Sequence, residues 1–134
     1  MPYQASHRFA RIAPRKARLI MDLVRGRDVD DAITLLKFSK QRVSGMIEKV
    51  IRSAVANANE QETAPIRNTL FVAEARVDPG PIIKRFQPKD RGKAYPINKR
   101  TSHLVVTIDE REEGERAPVS LKKTVGGRPG KARR

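Results

Sequence analysis

The chain has 134 residues, the span of one ordinary domain, and is long enough to bury a core without help from a metal or a disulfide. Cys is absent, which excludes disulfide scaffolds, zinc-finger and iron–sulfur sites and thiolate chemistry. With 29 Lys and Arg against 15 Asp and Glu, the formal charge of +14 points to a polyanionic partner.

No apolar run approaches the length of a membrane-spanning helix, and Met1–His7 has no apolar core of the signal-peptide kind. The expectation is a small, soluble, intracellular protein. Its charge is unevenly placed. Residues 1–27 carry a net +6, residues 28–77 sum to zero, residues 78–110 carry +3 and residues 111–134 carry +5. A neutral centre bears basic attachments.

In chain order, Ser6–Ile12 reads as a strand. Pro14 suits the first turn of a helix, and Leu19, Ile20, Leu23 and Val24 recur on one face before Gly26 stops the pattern. Asp28 is positioned as the N-cap of a short second helix running to Lys37. Ser39 can cap a third, in which Val43, Met46, Ile47, Val50, Ala54 and Ala58 repeat at steps of three and four. Glu60–Pro65 is polar and turn-like. The period then changes to two. Thr69–Val77 predicts a strand with Glu74 and Arg76 on one face and Phe71, Ala73, Ala75 and Val77 on the other, and Leu104–Ile108 predicts another. This order gives an α+β fold, with three helices covering one face of a small antiparallel sheet.

The 26 residues between these last two strands, 78–103, are too many for a structureless loop in so small a domain. Asp90-Arg91-Gly92-Lys93 supplies a turn near the midpoint, flanked by arms containing Ile82, Ile83 and Phe86 and then Tyr95 and Ile97. The arms predict a long, irregular β-hairpin, its ladder interrupted at Pro81, Pro88 and Pro96. A ten-residue arm reaches about 30 Å, beyond the body of the domain. A two-stranded ribbon is at best marginal alone in water, so this one is expected to pack against a partner. Its seven Lys and Arg favour nucleic acid. The division expected is a single globular domain over 1–110, including the hairpin at 80–103, and a basic, disordered tail over 111–134.

Catalytic chemistry finds no foothold. Gly126–Gly130 lacks the strand–turn–helix setting of a phosphate loop, and His7 and His103 are too few for most metal sites. The reading is a non-enzyme with no cofactor, no metal and no small-molecule substrate. Arg8, Arg11, Arg15, Lys16 and Arg18, on the first strand and the start of the first helix, carry the better signal, because Arg presents a planar fork matched to phosphate oxygens. Trp is absent and aromatics make up 4% of the chain, so recognition of backbone and shape in folded RNA or duplex is expected rather than base stacking. An alternative is a free nucleic-acid-binding regulator using the helices at 28–37 and 39–58 as a helix-turn-helix. That region is net neutral and offers only Gln41 and Arg42 at the start of its reading helix.

The segments Arg11-Ile12-Ala13-Pro14-Arg15-Lys16-Ala17-Arg18-Leu19, Asp22-Leu23-Val24-Arg25-Gly26 and Ser53-Ala54-Val55-Ala56-Asn57-Ala58 are followed by Asp78-Pro79-Gly80-Pro81, Lys84-Arg85 and Lys99-Arg100-Thr101-Ser102-His103-Leu104. In this order and spacing they resemble the bacterial large-subunit ribosomal proteins of the L-twenty-two family, from about Ala5 to Asp109. The resemblance implies three helices on a three-stranded antiparallel sheet with an extended hairpin. It also implies a cytoplasmic protein of the large ribosomal subunit, bound to ribosomal RNA and active in subunit assembly and translation. The hairpin of that family lines the polypeptide exit tunnel, which makes the nascent chain and neighbouring ribosomal proteins further partners; no membrane is involved. Carried onto this chain, the RNA-binding residues are Arg8, Arg11, Arg15, Lys16, Arg18, Arg25, Lys84, Arg85, Lys89, Arg91, Lys93, Lys99, Arg100, Thr101 and His103. The last four of these would hold the hairpin base. The tunnel-lining tip comprises Lys84, Arg85, Lys89, Asp90, Arg91, Gly92 and Lys93. Asp90 is an acid where the family usually places small or basic residues.

Overall fold

The computed structural model describes residues 2–60 and 70–111. The expected tail beyond Arg111, the turn-like residues 61–65 and Thr69 lie outside the described residues. Six elements follow in chain order: β1 (Tyr3–Ala10), α1 (Pro14–Val24), α2 (Val29–Phe38), α3 (Arg42–Asn59), β2 (Leu70–Lys89) and β3 (Lys93–Glu110). The strands form one antiparallel sheet in the order β1-β3-β2, so β3 is paired on both sides. The α+β architecture read from the sequence is the one observed, with three helices, three antiparallel strands and a long hairpin.

The core lies between the helices and one face of the sheet. Met21 and Val24 from α1, Ile47 and Ile51 from α3, Leu70 and Val72 from β2, and Leu104, Val106 and Ile108 from β3 are fully buried in one cluster. Burial of side chains of this size contributes roughly 1.5–3 kcal/mol each. Pro14 opens α1 as expected, because a first-turn residue has no helical acceptor for its N–H. The buried face of α1 is Ala17, Ile20, Met21 and Val24, not the expected Leu19, Ile20, Leu23 and Val24. Two apolar stripes share this helix, and Leu19 and Leu23 form the exposed one. In α3 the cap position is Gln41 rather than Ser39, and Ile51 joins the buried face while Met46 is only half-buried.

β2 departs from strict alternation. Leu70 and Val72 are buried, and then Ala75 and Val77, with Phe71 half-buried and Ala73 exposed. The register against β3 shifts between Val72 and Glu74, so one extra residue at Ala73 reverses the inward parity. The expected inward placement of Phe71 and Ala73 therefore fails for a local reason. β1 ends at Ala10 rather than at Ile12. It also carries an irregularity, where Phe9 adopts φ +57° and its N–H donates to His103 Nδ1 at 3.0 Å. The Phe9 and His103 rings meet edge to face, 4.8 Å between centroids.

The free edge of β2 is closed from within. Gly26 (φ +76°) turns the α1–α2 connection alongside it, and the Gly26 N–H donates to the Val72 carbonyl while the Val72 N–H donates to the Arg27 carbonyl, both at 2.9 Å. Farther along that edge, Arg25 Nε donates to the Ala75 carbonyl at 3.2 Å and Arg18 to the Val77 carbonyl at 3.3 Å. An edge occupied in this way offers no template for pairing with another chain. At the far end of the sheet, the Arg111 guanidinium lies 4.6 Å from the Phe71 ring and 3.4 Å from Asp28 Oδ1.

Tyr3, buried at 5% exposure, donates its hydroxyl to Glu110 Oε1 at 2.9 Å and joins β1 to the end of β3. That hydrogen bond to a carboxylate, with burial and the nearby Glu110 and Asp109 charges, raises the phenol above its ordinary value of 10.0. Above pH 10 the unfolded chain releases a proton that the native state retains. The contribution is therefore complete below pH 10 and is lost as pH rises toward the folded value. Tyr3→Phe is expected to lower stability at neutral pH and to flatten its decline above pH 10, read by urea unfolding of both proteins from neutral to alkaline pH.

Candidate nucleic-acid interface

Past Gly80 the strands β2 and β3 leave the sheet as a two-stranded ribbon, paired from Ile82↔Arg100 to Lys89↔Lys93. Its ladder is more regular than the prolines suggest. Pro96 faces Phe86 and Pro88 faces Ala94, pairs two steps apart, so both prolines fall on the alternate positions whose N–H groups point out of a two-stranded ribbon. Pro81 lies in the one break, between Pro79 and Ile82. There Gly80 passes so close to β3 that a Cβ would meet Thr101 Oγ1 at 2.5 Å, and Thr101 donates its hydroxyl to the Pro81 carbonyl at 2.6 Å.

Residues opposite one another share a face of the ribbon, and alternate residues occupy opposite faces. One face therefore carries Ile83 and Lys99, Arg85 and Ile97, Gln87 and Tyr95, and Lys89 and Lys93. The other carries Ile82 and Arg100 and Lys84 and Asn98 near the base, but Phe86, Pro96, Pro88 and Ala94 toward the tip. Charge thus continues to the tip along one face only. On that face Lys89 Nζ sits 5.7 Å from the Tyr95 ring, and on the other Phe86 is 74% exposed.

Where the ribbon leaves the body, a groove of about 1150 Å³ opens between the end of β1, the first turns of α1 and α3, and the ribbon base. Arg11, Lys16, Arg42, Arg85, Lys99 and Arg100 line it, and no acidic side chain among the described residues does so. Of these six, only Arg85 makes a side-chain hydrogen bond within the described residues, to the neighbouring Lys84 carbonyl. Neither α1 nor α3 has a side-chain cap at its N-terminus, so the first-turn N–H groups add to the positive field. Ile12, Leu19, Ile20, Val43 and Ile83 form the apolar part of the wall, with Gln41 and Asn98 beside them.

The residues expected to bind RNA fall into three groups. Arg11, Lys16, Arg85, Lys99 and Arg100 converge on the groove, and Thr101 forms part of its wall with its hydroxyl engaged internally. Arg8, Arg15, Lys84, Lys89, Arg91 and Lys93 are exposed elsewhere, Arg8 lying 5.6 Å from the Phe9 ring. Arg18, Arg25 and His103 are tied into the fold, Arg25 also by its 2.8 Å ion pair with Asp22. Gln41, Arg42 and Asn98 were not foreseen as ribbon-base residues. They lie far apart in sequence, and only the direction of the ribbon brings them together. Asp90 occupies the turn at φ +39°, followed by Arg91 at +49° and Gly92 at +90°. No three His, Asp or Glu cluster as a metal site among the described residues, and no helix among them is long and apolar enough to cross a membrane.

A family model described as Ribosomal protein L22p/L17e matches residues 5–109. The match takes in all of the sheet but Tyr3, Gln4 and Glu110, all three helices, the ribbon and every residue that lines the groove.

Two substitutions separate folding from binding. Arg25→Ala removes charged donors from the Ala75 carbonyl and is expected to destabilise the free protein by about 1–3 kcal/mol, whereas Arg15→Ala leaves it unchanged, both measured by urea unfolding. Gly80→Ala forces Thr101 away from Pro81 and is expected to cost about 1–3 kcal/mol in the same assay.

Proposed function

Since the chain belongs to the ribosomal protein L22p/L17e family, and so to the structural proteins of the large ribosomal subunit, we propose that its basic groove and ribbon hold ribosomal RNA and that the ribbon tip lines the polypeptide exit tunnel. The observation that carries this reading is the segregation of charge. Arginines near the β2 edge are bonded within the fold, while the cations of the groove and ribbon have no acidic partners among the described residues. Such unpaired cations repel one another in the free protein, and phosphates relieve that repulsion. A two-stranded ribbon that projects from a small domain likewise gains its stability from what surrounds it.

On this reading Arg8, Arg11, Arg15 and Lys16 bind RNA from the body, and Lys84, Arg85, Lys99 and Arg100 bind it from the ribbon base. Lys89, Asp90, Arg91, Gly92 and Lys93 stand at the tunnel wall, within reach of the nascent chain and of neighbouring ribosomal proteins. The division of labour is between a body over residues 1–110 and a basic tail after it. The regulator reading has less support, because the face of α3 carrying Val43, Ile47, Val50, Ile51 and Ala54 is consumed by the core. On its solvent side Arg52 is neutralised by Glu48 at 2.6 Å.

The protein is expected to sediment with large subunits after a high-salt wash in a sucrose gradient, and its loss from them overturns the reading. In the subunit, trypsin is expected to spare the bonds after Lys84, Arg85, Lys99 and Arg100 and to cut them in the free chain. Free chain bound to an RNA fragment through six or more phosphates is expected to lose about a thousandfold in affinity between 50 and 200 mM salt.

A further inference from the structure

The groove has a feature that phosphate binding leaves unexplained. Phosphates satisfy its cations, yet Ile12, Leu19, Ile20, Val43 and Ile83 also line it, and Leu19 remains 67% exposed on the outward stripe of α1. An uncharged, flat or apolar group covers the aliphatic part of such a lining while an attached negative charge meets the cations. A nucleotide pulled out of its helix has that division, with a phosphate on one side and a base on the other.

We infer that the groove captures one unpaired RNA nucleotide, its phosphates on Arg11, Arg42 and Lys99 and its base against Leu19 and Ile83. This rests on the ribosomal reading above. A volume of about 1150 Å³ is ample for a nucleotide, as pockets of roughly 300–1,000 Å³ hold comparable ligands. Gln41 and Asn98 stand on opposite sides of the wall, one at the start of α3 and one on β3. Their amides offer both donors and acceptors to the edge of a base. Unstacked bases of loops and bulges are the parts of folded RNA that side chains reach most readily, since the deep groove of an RNA helix excludes them. Contact with the base here is aliphatic, since no aromatic side chain lines the groove among the described residues. Arg42 and Gln41 thereby acquire a role that a groove-reading helix does not give them.

The test is made in assembled subunits. The full-length chain carrying Leu19→p-benzoylphenylalanine is incorporated into large subunits, irradiated, and the attached nucleotide mapped. The exposed position of Leu19 lets the fold accept the probe. A crosslink to the base of one unpaired nucleotide is expected, its yield falling about fivefold or more with Arg42→Ala and holding with Arg52→Ala, whose guanidinium pairs with Glu48 on the solvent side of α3. Crosslinks to the backbone of a paired helix, to a protein segment, or to nothing in subunits that contain the chain overturn the inference. Failure of the unsubstituted chain to enter subunits overturns the ribosomal reading, and the inference with it. Entry of the unsubstituted chain with no entry of the probe-bearing one is followed by the same crosslinking from Leu23→p-benzoylphenylalanine, one turn along the exposed stripe, where the same outcomes apply.

Discussion

The passage of Gly80 beneath Thr101 is the joint on which the interface depends. On one side of it β2 belongs to a sheet whose inner face is covered by helices; on the other it belongs to a ribbon with both faces exposed. The register shift between Pro79 and Ile82 and the bond from Thr101 to the Pro81 carbonyl hold the two parts at one offset. A slip of one residue moves every ribbon side chain to the opposite face. The face carrying Arg85, Lys89, Lys93 and Lys99 would then exchange places with the face whose outer half is the uncharged strip of Phe86, Pro88, Ala94 and Pro96. The joint therefore fixes the electrostatics of a projection that has no core of its own to fix them.

The same residue type does opposite work on α1. Arg18 and Arg25 face the outer edge of β2, where carbonyls lack strand partners, and their guanidinium groups complete a ladder that the three-stranded sheet leaves open. Arg15 and Lys16, less than a turn earlier, face no such carbonyls. What separates a folding arginine from a binding one is the presence of unpaired acceptors within reach, not the charge. This also explains how a chain with so large a positive excess folds. Its core is complete without the unpaired cations, and they lie at the surface, where solvent and salt weaken their repulsion.

Much of the fold was legible. Pro14 and Gly26 mark the limits of the first helix because each has a steric reason to be there, and the 26-residue gap with its central Asp90-Arg91-Gly92 announces the ribbon. Periodicity failed where two patterns compete. On α1 the larger leucines suggest one face, while the small Ala17 and the flexible Met21 are the ones that fit against the sheet. In β2 the bulge at Ala73 inverts a phase that alternation alone cannot detect. The groove was the least legible feature. Arg11, Lys16 and Lys99 were recognised as binding residues individually, but their convergence with Gln41, Arg42 and Asn98 depends on a ribbon direction set by a single close contact.

Asp90 shows where a charge argument should yield to a backbone one. An acid at the tip of a basic ribbon looks like a departure to be explained by its partner. The turn requires three consecutive residues at positive φ, and for side chains other than glycine that region costs roughly 1–2 kcal/mol per residue. Asp is among the few that enter it readily, since its short polar side chain bonds locally. Its carbonyl accepts the Lys93 N–H at 3.2 Å and closes the turn. Arg91 has no such advantage and is held by the residues on either side of it, an Asp that starts the left-handed run and a Gly that ends it. The acid at position 90 thus belongs to the geometry of the tip, which presents Arg91 and Lys93 while lowering the local charge by one.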